Sequence, residues 1–520
     1  MRCKRASLVI NPRTGQNVAK LADVLAVCAA AGWKADIALK EYGGHTMELA
    51  EEAAEDGRDL VVAYGGDGTL NQVVNGVMNA KGQHSIVGVI PGGTVNVWAG
   101  EVSVPIDPVK AALSLVNSEP RKVDIGHVDV VGLTLPDTGQ GGQEAQVPGE
   151  KMVKVGKGSK KAKHHFLLMA GLGIDAAIMG NVSKPLKYRI GPLAVGLSAA
   201  KELPTQRPFP VEIWSPQDGE PLWRGEALQV VVGNTRRYGD IAEMTPNAYI
   251  DDGVLDVCVI TAGDPLSTLQ QITSLLLRKK PDNLTAEYFH GSQLSISVPA
   301  SVPMQLDGST VKLKDYLNSL DYDTLQQARD AEHVMVTYRF GAMPHALEVA
   351  IPCTYDNTLF EQSGNVSEGK SLVKSHPRKD DEVPTTKQRH TEEEESVPSS
   401  QVHQLESHPQ KQGKHTEDVQ GALPELVNAL FEDGRKVAVI GKAPDVEKKQ
   451  TYIIAGNAAK RTTGEMRPVA VVVNSNTAVF NREGMQVSSE AIQELQEGAT
   501  IIVEGKKSKR GVIQASRLVL

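Results

Sequence analysis

From residue 6 the chain alternates short apolar runs with amphipathic stretches: "ASLVIN", "NVAKLADVLAVCAAAG", "KADIAL", "HTMELAEEAAEDG" and "DLVVAY" follow one another to residue 64. Strand-like runs alternating with helical periods predict βαβ units and a parallel sheet, with the loops at the strand ends open to ligands. "SIVGVI" adds a strand and "PVKAALSLVNS" a helix, so that residues 1–125 read as one α/β domain.

The pattern then changes. Short β-prone runs such as "HHFLLMAGLGIDA", "ALQVVVGN", "VLDVCVITA", "QLSISV" and "VMVTYRF" predict a β-rich second domain over 126–363, its last segment free to return to the first. "LAVGLSAAKEL" and "PLSTLQQITSLLLRKK" are the helices expected within it. Residues 364–420 carry almost no large apolar side chains and cannot offset their ordering entropy by burial, so a disordered linker is expected there. Beyond it, "KVAVIGKAP", "QTYIIAGNA", "RPVAVVVNSNTAVF", "ATIIVEGKK" and "GVIQASRLVL", with the short helix "SSEAIQELQ", predict a small OB-like β-barrel over 421–520.

Composition narrows the field. A chain of 520 residues, 40% hydrophobic and 23% charged, suits two or three soluble domains. The net charge of -8 argues against a protein that coats nucleic acid. Four scattered cysteines, without C-x-x-C or zinc spacing, fit a reducing cytoplasm rather than a disulfide framework. The apolar run in "MRCKRASLVINPRTG" is too short for a signal-peptide core, and no run is long enough to span a bilayer.

The chemistry concentrates in "DLVVAYGGDGTLNQVVNG". Gly65, Gly66 and Gly68 permit a tight turn that presents amides, and Thr69 stands where a helix N-cap is expected. A plain turn explains the glycines equally well, but Asp67 does not belong in a passive phosphate cradle. A carboxylate about 4 Å from a phosphate charge costs on the order of 4 kcal/mol at an effective dielectric near 20. Something must offset it: a bridging Mg²⁺ or a proton taken from an attacking hydroxyl. Asp67 as an ordinary turn residue is the bland alternative. "VIPGGTVN" is a second glycine turn after a strand, where Gly92, Gly93, Thr94 and Asn96 are placed to contact the same nucleotide. "INPRTG" offers Asn11 to Gly15 at a third strand end.

These segments, with "GGHTMELA" and "DDGVLDV" in the same order, resemble the diacylglycerol kinase catalytic-domain family, which includes sphingosine kinases and related bacterial lipid kinases. The likeness covers about residues 5–360 and leaves the tail outside. It implies an α/β domain like that of phosphofructokinase and NAD kinase, a β-sandwich second domain, and an active site between them. By the same resemblance, nucleotide would be bound by Asn11, Pro12, Arg13, Thr14, Gly15, Thr46, Gly65, Gly66, Asp67, Gly68, Thr69, Leu70, Asn71 and Thr94. Asp252, with the carbonyls of Tyr249 and Val254, would hold a structural Mg²⁺, although the residues alone read as an acidic turn.

"MQLDGSTVKL" departs from the family's Asp-Gly-Glu: Asp307 and Gly308 are kept, and Ser309 stands where the proton-accepting Glu is usual. Gln72 replaces a common Glu as well. Base duty would pass to Asp307 or Asp67, the two residues expected to be catalytic.

The resulting expectation is transfer of the γ-phosphoryl of ATP, with Mg²⁺, to the hydroxyl of diacylglycerol, a sphingoid base or a related lipid. The enzyme would work from the cytoplasm as a peripheral protein at the inner membrane face. The basic strip "KMVKVGKGSKKAKHH" would meet anionic lipid, where each charge contributes about 1 kcal/mol; a solvated lysine hairpin is the plainer reading. An NAD kinase and a catalytically degenerate, nucleotide-responsive regulator are the rival functions. The barrel is expected to bind protein rather than nucleic acid, since it lacks Trp for base stacking. A homodimer stays open.

Overall fold

The computed structural model describes residues 1–135, 151–173, 208–261, 286–327, 334–361, 372–375 and 434–520, apart from residue 2 and the short stretches 13–16, 83–84, 157, 159–161, 217–219, 239–241, 446–449, 460–465 and 509–510. Both expected helices of the second domain, and most of the expected linker, lie outside the described residues.

The first domain runs β1 (Arg5–Ile10), α1 (Leu21–Ala30), β2 (Lys34–Leu39), α2 (His45–Glu55), β3 (Leu60–Gly65), α3 (Asp67–Asn79) and β4 (Ile86–Pro91). Two short helices follow, α4 (Val97–Glu101) and α5 (Pro108–Val116). The strands are parallel in the order β2-β1-β3-β4. Every residue of β3 is buried, the mark of a strand covered on both faces. The strand order reverses at β1, and there the Asn11 amide donates to the Tyr64 carbonyl at 3.2 Å. A crevice at the carboxyl ends of the strands beside such a reversal is where open α/β sheets bind ligands.

The boundary expected at residue 125 falls inside one strand. β5 (Ser118–Leu135) continues without a break into the second domain. There follow β6 (Lys151–Lys154), β7 (His165–Phe166), β8 (Met169–Gly173), β9 (Phe209–Trp214), β10 (Trp223–Gly233), the short pair β11 (Arg237–Tyr238) and β12 (Ala242–Glu243), and β13 (Leu255–Thr261). Next come β14 (Ala286–Gly291), β15 (Gln293–Pro299), β16 (Met304–Leu306), β17 (Ser309–Val311), α6 (Ser319–Gln327) and β18 (Met335–Pro352). β18 pairs antiparallel with β5 along nearly its whole length, and Val349 reaches β4 beside Val87. This two-strand ribbon carries the chain into the sandwich and back, so neither domain is an appendage of the other. Val373–Ser375, within the expected linker, forms β19 on the edge of β14 and corrects that expectation locally. Leu372 is the reason: it is buried in the sandwich core and ties the strand down.

The tail comprises β20 (Arg435–Pro444), β21 (Tyr452–Ala459), β22 (Met466–Val473), β23 (Ala478–Phe480), β24 (Gln486–Val487), β25 (Thr500–Lys507) and β26 (Val512–Val519). β20, β21, β22, β26 and β25 close in that order, with the β22–β26 pair parallel. The expected helix at "SSEAIQELQ" is a 3-10 turn over Ser489–Glu494. Alternation along the strands sends Ile454, Val471 and Ile513 inward, while Ile453, Ala470, Val472 and Val512 join the core of the first domain beside Ala26 and Leu113. The barrel therefore rests on α1 and α5, and Lys110 meets Glu497 at 2.5 Å across the seam.

Candidate active site

Gly65 ends β3 and Gly66, extended, caps α3, whose first residue is Asp67. The Gly66 carbonyl accepts the Thr69 and Leu70 amides at 2.8 and 3.1 Å. Thr69 is therefore inside the helix and not at its N-cap, as its sequence position had suggested. Its hydroxyl lies 2.4 Å from where a Cβ on Gly65 would stand, so position 65 must be glycine. Leu70 is 2% exposed and packs into the core, which leaves only its backbone for a ligand.

The two glycine turns touch. The Gly92 amide donates to the Gly65 carbonyl at 2.9 Å, and a Cβ on Gly93 would lie 2.5 Å from the Gly66 Cα. Asn96, in the left-handed region with φ 55, folds back so that its Oδ1 accepts the Gly93 amide at 2.8 Å. Thr94 is half-buried on that turn. The charge at position 67 now has a partner: Asp67 accepts the Val97 amide at 3.0 Å and the Trp98 amide at 3.2 Å. The carboxylate caps the first turn of α4 while sitting in the first turn of α3, where helix-end amides favour an anion. It joins the two loops, each of its oxygens holding one of these amides.

Asp307 and Gly308, with φ 46 and 73, are the two central residues of a tight hairpin between β16 and β17. Both carry positive φ, the geometry for which Asp-Gly is a preferred pair. Asp307 is 3% exposed. Its Oδ2 accepts the Leu167 amide at 2.9 Å and Asn71 Nδ2 at 3.0 Å, and its Oδ1 accepts the Leu168 and Met169 amides at 2.9 and 3.0 Å. Burial pushes this carboxyl above the usual range, and the four donors pull the other way. A carboxylate whose two oxygens are occupied by four donors has no lone pair to offer a substrate hydroxyl without breaking one of these bonds. In this geometry Asp307 anchors the sandwich segment 167–169 to α3, and service as a base would require it to release one of these donors.

Asn75, which the sequence reading did not single out, completes that suture. Its Oδ1 accepts the His164 and His165 amides at 3.0 Å each, while its Nδ2 and that of Asn71 both donate to the His165 carbonyl. The signal was present: Asn71 and Asn75 are spaced i, i+4 on a helix face that otherwise buries Leu70, Val73, Val74 and Val77.

Ser309 lies over the same helix start, its Oγ 2.8 Å from where a Cβ on Gly68 would be. Lys163, half-buried, is pushed down to about 8 by burial; Asp307 opposes the shift and Lys40 adds to it. Lys163 thus lies within electrostatic reach of both Asp307 and Lys40. Asn11 borders the crevice and Pro12 is exposed, whereas Arg13, Thr14 and Gly15 lie outside the described residues. Thr46 is fully buried in the first turn of α2, its hydroxyl meeting no hydrogen-bond partner among the described residues, and the helix is capped by Gly44 at φ 90.

At the acidic turn, Asp252 is buried and its Oδ1 accepts the Val254 amide at 3.2 Å. Asp124 accepts the Gly253 and His345 amides, and Asp251 the Glu361 amide. Burial raises both Asp124 and Asp251, and Asp251 adds to the shift on Asp124. The turn therefore carries negative charge that a divalent ion would offset. A carboxylate with the carbonyls of Tyr249 and Val254 is an all-oxygen donor set suited to Mg²⁺.

Residues 5–128 match the diacylglycerol kinase catalytic domain, and residues 169–314 match the YegS C-terminal NAD kinase beta sandwich-like domain. A diacylglycerol kinase of Bacillus subtilis is 29% identical over 308 residues, spanning 59% of this chain and 89% of that protein. A YegS-like lipid kinase of Pseudomonas syringae pv. tomato is 30% identical over 276 residues, 52% of this chain and 76% of its own. A crystal structure described as a diacylglycerol kinase of Bacillus anthracis str. Sterne superposes with a TM-score of 0.50 at 20% identity, covering 68% of this chain and 97% of that one, and supports the shared fold. By these matches the chain belongs to the diacylglycerol kinase catalytic-domain family, an ATP-binding group of kinases.

Proposed function

We propose that this kinase transfers the γ-phosphoryl group of MgATP to the hydroxyl of a lipid, diacylglycerol or a sphingoid relative, in the crevice between α3 and the sandwich. The observation that carries the reading is the contact of the two glycine loops, Gly66 on Gly93, with Asp67 joining the α3 and α4 starts. Helix-start amides and glycine backbone favour the triphosphate, and Lys163, within electrostatic reach of Asp307 and Lys40, supplies cationic charge there. Phosphoryl transfer passes through a loose transition state that asks more for positioning and charge neutralisation than for a strong base. With Asp67 and Asp307 both engaged and Ser309 unable to act as a carboxylate, the attacking hydroxyl gives up its proton late, to an oxygen of the transferred group. When bound, Mg²⁺ at the Asp252 turn would brace the sandwich against β5 through Asp124.

No helix among the described residues is long and apolar enough to cross a membrane. Lipid access is accordingly assigned to peripheral contact from the cytoplasm through the basic strip, whose Lys154 is exposed. The strand order of the tail barrel supports an OB-like assignment for it. Its interior is filled, so a protein partner would meet the outer strands.

The test is incubation of the full chain with γ-labelled ATP, Mg²⁺ and mixed vesicles of diacylglycerol, monoacylglycerol, ceramide and sphingosine, with NAD alongside. Labelled lipid supports the reading. Labelled NAD would make it an NAD kinase, and tight ATP binding with no acceptor labelled would point to a nucleotide-responsive regulator.

A further inference from the structure

His127 and Asp129 are two residues apart on β5, so their side chains leave the same face of the strand. His164 precedes β7, which pairs with β5 at His127 and His165, and the Val128 amide donates to the His164 carbonyl at 2.8 Å. Two backbone strands thus deliver three side chains to one point. His127 Nε2 lies 3.0 Å from Asp129 Oδ2, and His164 Nδ1 lies 2.8 Å from Asp129 Oδ1 and 3.1 Å from the Val128 carbonyl oxygen, a contact that nitrogen would give up to face an ion. One ligand atom from each residue falls within 4.8 Å of the others, and this is the one such trio of His, Cys, Asp or Glu among the described residues.

Metal–nitrogen bonds of about 2.1 Å place neighbouring ligand atoms roughly 3.0–3.4 Å apart in octahedral or tetrahedral sites; the two His–Asp spacings lie at or just below that range and all three atoms within 4.8 Å, so small side-chain adjustments would admit an ion. The side chains are 33%, 49% and 28% exposed, which gives an ion entry and leaves room for water ligands. The Tyr316 and His164 rings meet edge to face with their centroids 5.4 Å apart, and the Tyr316 hydroxyl donates to the Lys163 carbonyl, fixing the backbone beside the ligand.

We propose that His127, Asp129 and His164 form a binding site for a late first-row divalent cation, represented by Zn²⁺ and separate from the oxygen-lined turn at Asp252. Two imidazoles and one carboxylate select Zn²⁺, Co²⁺ or Ni²⁺ over Mg²⁺. The site braces the segment His164–His165, whose amides and carbonyl hold Asn71 and Asn75 of α3. Its occupancy therefore stiffens the suture between the two domains. The inference does not depend on which molecule accepts phosphate.

The full chain, stripped with chelator, is dialysed against Zn²⁺ in excess Mg²⁺ beside the His127→Gln/His164→Gln double variant. That reference cancels zinc taken up elsewhere, including by His376, His390, His403, His408 and His415. The expected result is one additional equivalent in the wild type and a zinc-induced rise in melting temperature that the variant lacks. Equal uptake, or an equal rise in both proteins, overturns the site. Should the double variant fail to fold, carbethoxylation of the wild type decides: Zn²⁺ must protect His127 and His164 in peptide maps, and unchanged labelling of both refutes the proposal.

Discussion

Replacing Asp307 by Asn separates an anchor from a base. The substitution converts one carboxylate oxygen into an amide NH₂, so two of the four donors, either Leu167 N with Asn71 Nδ2 or Leu168 N with Met169 N, face another donor. Leaving a buried donor unsatisfied costs about 1–3 kcal/mol, so two cost about 4 kcal/mol. For a domain of this size each kcal/mol moves the midpoint by about 3 °C, which gives a fall of about 12 °C. Scanning calorimetry of the full chain, with and without ATP, reads it directly. Phosphoryl transfer should fall together with stability and recover in part at low temperature, where the variant stays folded. A variant that melts within about 2 °C of wild type yet transfers no phosphate would return Asp307 to the role of base and refute the anchor.

Gly93→Ala places a methyl against the Gly66 backbone, and such overpacking costs about 1–3 kcal/mol; titration calorimetry should show ATP affinity at least tenfold weaker. Asp67→Ala leaves the Val97 and Trp98 amides uncapped. A lost cap costs about 1 kcal/mol, and ATP affinity should fall further than melting temperature, with unchanged affinity counting against Asp67 as the link between loops. Burial pushes Cys28 and Cys258 up to about 12, so an alkylating reagent at pH 8.5 should label exposed Cys353 and spare both until denaturant is added; mass mapping checks this.

Much of this was legible in the residues. Apolar runs separated by helical periods specified the parallel sheet, because strands covered on both faces leave few other patterns. The glycine turns were readable because a Cβ at Gly65 or Gly93 has nowhere to go. The roles of the two acids were not. Asp67 meets Val97 and Trp98 only when two loops converge, and Asp307 meets Leu167–Met169 from another strand, contacts to which sequence spacing is blind. The Asp-Gly pair at 307–308 also carried a hairpin signal. The near-continuous apolar run "VAVVV" predicted a barrel strand but not its second partner, since a strand buried on both faces does not say what covers each.

That second partner changes what the tail is. Ile453, Ala470, Val472 and Val512 merge with the core around α1 and α5, so the peptide joining the two halves is not what keeps them together. A protease cut between residues 376 and 433 should leave fragments that co-elute, a split protein complementing itself. Once severed, the barrel becomes a ligand of the kinase, and the melting temperature of the larger fragment should rise with the logarithm of the concentration of the smaller.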